Sequence, residues 1–280
     1  MLARTPPSSA FYHCDSAHPQ RLQRALADLA KGFARWRLAL SLARLDIRNR
    51  YRGSVLGPFW LTLSTAIMVC GIGLLYSQLF QMPLSAYLPF LTVSLLIWNM
   101  IAQTVSDACT SLVSAEAIIR QMPLQYTVHV LRFLLRNALI AAHNLPLILI
   151  VFLLFGVLPG WTALMALVGL GLIAVNAFAI GMFLGMICAR FRDVQQIVAS
   201  VMQLAFFLSP VLWKPELLNE LQVLLPLNPF YVLMQTVRGP LLENGAPPLI
   251  WACAVLYTIL TSAIAFGFFA RFRARIAFWV

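Results

Sequence analysis

The chain has 280 residues, of which 61% are hydrophobic and only 10% charged. A soluble domain carries about 25% charged residues, so charge this sparse leaves too little polar surface for a compact water-soluble protein. The formal net charge of +11 would suit a nucleic-acid binder, but the basic residues flank apolar runs instead of clustering on a polar domain, which is the pattern of a membrane protein.

In chain order, residues 1–20 are polar, contain prolines and serines, and lack the apolar core of about 7–15 residues that a secretory signal needs. Residues 1–32 are read as a cytoplasmic tail, and 33–280 as one all-α transmembrane domain. Residues 35–50 follow as an amphipathic helix lying on the membrane. Arg37, Ser41, Arg44 and Arg48 form its polar stripe, and Trp36, Leu40, Ala43 and Ile47 a parallel apolar one. A helix packed on the protein's own cytoplasmic side is the alternative. Leu22, Leu26, Leu29 and Phe33 also recur at helical spacing, which extends the amphipathic region back towards Pro19.

A membrane-crossing helix needs about 20 apolar residues. The stretches 53–106, 137–189, 194–213 and 249–270 contain no Asp, Glu, Lys or Arg. The first two are each long enough for two passes, divided at 81–89 and at Pro159-Gly160. Six spans are therefore expected, over about 57–80, 88–112, 136–158, 161–189, 194–213 and 249–270. Between the last two, Pro226 and Pro229 interrupt an uncharged stretch that is too short and too broken for a span. A periplasmic re-entrant helical hairpin over about 215–240 fits it, because irregular backbone at membrane depth must be packed on protein.

Eighteen of the 20 Lys and Arg residues lie before span one, between spans two and three, after span four or after span six; only Lys214 and Arg238 fall on the other side. Positive loops stay in the cytoplasm, so both chain ends are placed there, in an inner membrane.

The five cysteines, Cys14, Cys70, Cys109, Cys188 and Cys253, form no CxxC pair, and no metal site is expected. No GxxxxGK[ST] phosphate loop occurs, so ATP hydrolysis is not expected of this chain; HExxH and GxSxG are absent too, and no catalytic residue is assigned. Asp107, near the cytoplasmic end of span two, is either a proton relay or a helix-end residue within reach of water. His143 and Asn144 in span three suit interhelical hydrogen bonds.

The informative segment is the junction Arg48-Asn49-Arg50-Tyr51-Arg52-Gly53-Ser54-Val55-Leu56-Gly57-Pro58-Phe59-Trp60, where a basic helix breaks at glycines and a proline and turns into span one. It resembles the start of type-2 ABC exporter permeases, in the lipopolysaccharide transport system branch that exports O-antigen, teichoic acid and capsular polysaccharide. The resemblance covers about residues 33 to 275. It continues through Ile119-Arg120-Gln121-Met122-Pro123-Leu124, Arg190-Phe191-Arg192-Asp193-Val194, Ser209-Pro210-Val211 and Leu227-Asn228-Pro229-Phe230.

The resemblance implies a homodimer joined by two nucleotide-binding ATPase subunits, with ATP and Mg on those partners and no cofactor on this chain. The cargo would be polysaccharide on undecaprenyl pyrophosphate. Arg48, Arg50, Arg52, Gly53, Leu56 and Gly57 would receive the pyrophosphate, since arginine binds phosphate oxygens as a fork. Phe59, Trp60, Tyr76, Phe206, Phe207 and Trp213 would offer aromatic faces to sugars in the channel, although aromatic residues also belong at membrane interfaces. Glu116, Arg120 and Pro123 would contact the ATPase, with Glu116 and Arg120 four apart on one helix face.

The main rival is an ABC permease for a drug, lipid or small glycolipid. An ion-coupled secondary transporter would want midplane charges and internal repeats, and the sequence offers neither. A membrane-embedded glycosyltransferase would want clustered carboxylates, and the scattered acids argue against it.

Overall fold

A computed structural model describes residues 20–57, 59–122 and 124–280. Cys14, Pro19, Pro58 and Pro123, and most of the expected tail, lie outside the described residues. Among the described residues every regular element is helical: α1 (Arg21–Ala34), α2 (Trp36–Arg50), α3 (Phe59–Leu79), α4 (Leu84–Thr110), α5 (Glu116–Gln121), α6 (Tyr126–Phe155), α7 (Met165–Arg190), α8 (Val194–Leu208), α9 (Pro229–Leu242), α10 (Pro248–Phe272) and α11 (Ile276–Trp279), with short 3-10 turns between some of them.

Five of these helices are long and apolar enough to cross a membrane: those over Phe59–Leu79, Leu84–Thr110, Tyr126–Phe155, Trp161–Arg190 and Pro248–Trp279. The fifth expected span, 194–213, is shorter than read. Its helix α8 has 15 residues, about 22 Å at 1.5 Å per residue, against a hydrocarbon core of about 30 Å. Ser209 ends it in an extended conformation (φ −94°, ψ 143°) because Pro210 disfavours helical backbone in the residue before it.

Three other boundaries differ from expectation. Helix α4 begins at Leu84 and runs through Pro89; a proline there removes one hydrogen bond of the ladder, and the helix is held by the protein packed around it. Helix α6 begins at Tyr126, ten residues before the expected start of span three, so Arg132 and Arg136 sit on the helix and not in a loop. Both find carboxylate partners there. The stretch expected as tail is helical from Arg21 onward. Asp28, 2% exposed, fixes α1 by accepting from the Thr127 backbone N–H (3.2 Å) and hydroxyl (2.9 Å) and pairing with Arg273 (2.9 Å).

Helix α4 is the centre of the bundle, packed by α3, α6, α7, α8 and α9. Tyr87, Leu91, Leu95 and Trp98 lie in the main core around it. Helix α7 packs on α4, α9 and α10. Small residues allow such close approach: a Cβ on Gly169 would lie 2.5 Å from the Thr236 backbone oxygen. Helix α2 buries Ala39 against Val128 and Leu131 of α6 and also buries Ala43, while Trp36, Leu38 and Leu45 stay exposed. The polar stripe Arg37, Ser41, Arg44, Arg48 also faces outward. In α1 the same inversion is clearer, with Ala25, Asp28 and Gly32 turned to the protein and Leu22, Leu26 and Phe33 exposed.

The expected hairpin is a 3-10 segment, Pro215–Leu227, broken at Asn219 (φ +47°), followed by α9. The Asn-Pro-Phe motif starts α9 by ordinary capping. Asn228 Oδ1 accepts from the backbone N–H of Phe230 (3.0 Å) and Tyr231 (3.2 Å), and Pro229 occupies the first helical position. Asn228 Nδ2 donates to Ser209 Oγ at 2.9 Å, tying the motif to the end of α8.

Candidate functional site

One end of the bundle collects the basic elements. Arg273 reaches Asp28, Arg120 donates to the Val280 carbonyl at 2.7 Å, and Arg190 lies 5.3 Å from the centre of the Trp279 ring. Helices α1, α2 and α5, the start of α6 and the residues after α10 therefore share this end. Lys214 and Arg238 stand apart, each over the ring of Phe90, at 5.6 and 4.5 Å.

At the basic end the α2–α3 junction makes two turns that require positive φ, at Gly53 (+84°) and Gly57 (+55°). Left-handed backbone of this kind is cheap only for glycine. Ser54 Oγ accepts from the Gly57 N–H at 3.1 Å and holds the loop closed. Arg48, Arg50 and Arg52 are all exposed, as is Leu56 at the loop tip.

The aromatic residues do not form one patch. Phe59 and Trp60 are exposed at the start of α3, and Phe59 meets His143 edge-on with ring centres 5.6 Å apart. Tyr76 lies sixteen residues further along α3, about 24 Å away along the axis, where it packs edge-on against Phe80 at 5.5 Å. Phe206 is half-buried against Trp98 at 5.6 Å, while Phe207 is exposed, and Trp213 Nε1 donates to the Phe207 carbonyl at 3.2 Å. Phe59 and Trp60 therefore stand apart from Tyr76, whereas Tyr76 and Phe206 pack on the same core cluster.

Glu116 and Arg120 pair across one turn of α5 at 2.9 Å. The side chain of Arg120 is 61% exposed, so the pair stands at the surface of the basic end; exposed pairs of this kind contribute little to stability.

Two arrangements were not read from the sequence. The first is an ionic chain across three helices. Arg132 of α6 grips Asp46 of α2 in a fork (2.7 and 2.5 Å); Arg136 lies 3.7 Å from Asp46 and 2.8 Å from Asp107 of α4, which also accepts from Gln103 Nε2 at 2.8 Å. Asp107 is thus the acceptor in an ion pair linking α4 to α6, not a free relay carboxylate. The second is a cleft of about 350 Å³ between α3, α4 and α6, with Arg50 on its wall. Helix α4 is buried at every residue from Pro89 to Trp98, then opens towards this cleft at Asn99, Gln103 and Ser106. Helix α6 adds Asn137 and Asn144, and α3 adds Thr65. Asn144 Oδ1 accepts from Thr62 of α3 at 2.8 Å, the interhelical bond expected of it, whereas His143 Nδ1 meets its own helix's Leu139 carbonyl at 2.7 Å. The polar stripe 99, 103, 106 follows helical spacing and was the available signal.

The ABC-2 type transporter family matches residues 37–242, well over half of the chain. The chain belongs to that family. It is 25% identical over 232 residues to an O-antigen export system permease protein RfbA of Myxococcus xanthus, covering 81% of this chain and 89% of the relative. It is also 20% identical over 244 residues to an O-antigen export system permease protein RfbA of Klebsiella pneumoniae, covering 86% of this chain and 93% of the relative. With its apolar helices, this ABC-2 type transporter chain is a multi-pass inner-membrane protein. The matched region of the ABC-2 type chain runs from α2 to the end of α9 and so contains the junction, the ionic chain, the cleft and the Asn-Pro-Phe cap.

Proposed function

We propose that the chain is the membrane-spanning permease of an ABC transporter that exports undecaprenyl-pyrophosphate-linked polysaccharide, O-antigen-like or capsular, across the bacterial inner membrane. The observation that carries this reading is the likeness to O-antigen export permeases over most of both lengths. ATP and Mg would sit on two nucleotide-binding subunits docked at the basic end, where α5 presents Glu116 and Arg120. Two copies of the chain would enclose the channel. Phe59, Trp60, Tyr76, Phe206, Phe207 and Trp213 do not form one patch in one copy, and pairing would bring exposed members of both copies to one path.

In this reading α8 is the fifth of six spans, and the segment from Pro215 to α9 is the re-entrant hairpin that completes it from the periplasmic side. Both chain ends face the cytoplasm. The exposed apolar edges of α1 and α2 dip into the headgroup layer, as basic amphipathic helices do. The pyrophosphate meets Arg48, Arg50 and Arg52, and the loop Gly53–Leu56–Gly57 admits the lipid-linked chain beside α3.

Affinity purification of the tagged chain from its own host, with mass spectrometry of bound proteins and lipids, tests this directly. An ATPase subunit in equal amount together with a polyprenyl-linked glycan is expected. Co-purification of the ATPase with a drug or simple glycolipid in place of the polymer would favour the rival export reading.

A further inference from the structure

Asn137 is 4% exposed, yet both its Oδ1 and its Nδ2 lack a hydrogen-bond partner, and the residue lines the cleft between α3, α4 and α6. A buried amide with neither end paired is costly. Its surroundings do not explain it as packing. Asn99 and Gln103 converge on the same space from α4, and Thr65 from α3. Amides donate and accept at once, which is what a hydroxyl-rich ligand needs.

The charge on the wall is equally selective. Among the described residues Arg50 is the one ionised residue that lines the cleft, and the neighbouring carboxylate of Asp107 is already engaged by Arg136 and Gln103. An anion therefore fits next to Arg50, and a cationic headgroup does not. At about 350 Å³ the space lies at the small end of ligand pockets. Leu61, Met100 and Ile140 supply apolar wall, which suits the C–H faces of a polyol.

We infer that this cleft binds a polyhydroxylated headgroup attached to a phosphate, with its hydroxyls on Asn137, Asn99 and Gln103 and its phosphate at Arg50. Two lipids carry that chemistry. One is the first sugar of a polyprenyl pyrophosphate-linked glycan, an assignment that rests on the export reading above. The other is phosphatidylglycerol, which does not depend on it.

The test uses the purified full chain in phosphatidylcholine nanodiscs and three probes: undecaprenyl pyrophosphate bearing one hexose, undecaprenyl pyrophosphate without sugar, and phosphatidylglycerol. Asn137→Leu is expected to weaken at least one of the two polyol probes about tenfold, the cost of a lost ligand hydrogen bond or two, while the sugar-free pyrophosphate binds as before. Ser106→Leu, at an exposed position on the cleft rim, is expected to do the same by filling the space. Loss with the hexose probe assigns the cleft to the glycan; loss with phosphatidylglycerol alone supports the site and gives it to the resident lipid. Arg50→Gln is expected to weaken every probe. Undiminished binding of both polyol probes by both leucine variants overturns the inference. The sugar-free arm then still reports on the pyrophosphate reading, through Arg50→Gln alone. Ligand-free Asn137→Leu is expected to melt no lower than the parent, since it removes an unpaired amide. Should it fold poorly, Ser106→Leu decides the matter.

Discussion

Arg238 donates through Nη1 to the backbone carbonyl of Pro210 at 2.8 Å. The same nitrogen reaches Ser94 Oγ at 3.0 Å, and Nε and Nη2 both reach Gln235 Oε1, at 3.0 and 2.6 Å. One fully buried guanidinium thus joins α4, the turn after α8 and α9. Gln235 passes the link on, donating to Glu243 at 2.6 Å. This is the pin that fixes the segment after α8 against the centre of the bundle.

Arg238→Ala is expected to cost about 3–5 kcal/mol, because it breaks a buried charged network and strands its acceptors. Arg238→Lys keeps the charge but not the fork, and recovers only part of that. Thermal or denaturant unfolding of the purified chain in detergent reads both. An Arg238→Ala variant as stable as the parent would remove the pin.

The ionic chain from Asp46 to Asp107 should hold α2 against α4 and α6. A double-mutant cycle with Arg136→Ala and Asp107→Ala is expected to show a coupling of about 1–3 kcal/mol, since both side chains are mostly buried, at 22% and 15% exposed. Additive effects would mean that the pair is a contact without energetic weight.

Much of this architecture was legible in the sequence, for identifiable reasons. Charge-free stretches located α3, α7 and α10, because in a bilayer apolar length alone decides where a helix crosses. The same rule does not find the start of α6: the charge-free stretch opens at Asn137, while the helix begins at Tyr126 and carries Arg132 and Arg136, which pair with Asp46 and Asp107. Arg238 was read as one of two stray cations. Its partners Ser94 and Pro210 lie 144 and 28 positions away, so only the fold brings them together. The cleft falls between these cases. The spacing of Asn99, Gln103 and Ser106 was visible, but that it faces Asn137 and Arg50 depends on which helices become neighbours.

For topology, the proposed orientation puts both ends and the 115–130 region in the cytoplasm. In a cysteine-free background, single cysteines at Gln81, Trp161 and Asn244 are expected to label from the periplasm, and those at Gln20, Gln125 and Arg275 are not. Labelling of position 125 from outside intact cells would reverse the orientation.

For coupling, the chain alone is expected to show no ATPase activity. In the assembled complex, Glu116→Arg or Arg120→Glu is expected to weaken subunit association or to separate ATP hydrolysis from transport. The pair is exposed, so Glu116→Arg should barely change chain stability, whereas Arg120→Glu also loses the bond to the Val280 carbonyl. A complex with either reversal that assembles and transports like the parent would move the contact elsewhere.

At the junction, Gly57→Val forces a β-branched residue to φ +55°, where such residues are genuine outliers. A Cβ added at this position would meet no described atom within 4 Å beyond its chain neighbours, so the protein should still reach the membrane. Reduced export is expected from it and from Arg52→Ala, with lipid-linked polymer left inside the cell. Normal export by both Arg52→Ala and Arg52→Lys, at matched expression, would leave Arg52 a simple anchor.

The most direct measurement is deletion of the gene in its own host, with surface polysaccharide and inner-membrane lipid-linked glycan quantified together. Loss of the polymer from the surface, its accumulation on the lipid carrier inside, and rescue of both by the plasmid-borne chain are the expected result. Unchanged surface polysaccharide and unchanged lipid-linked glycan in the deletion strain would contradict polysaccharide export.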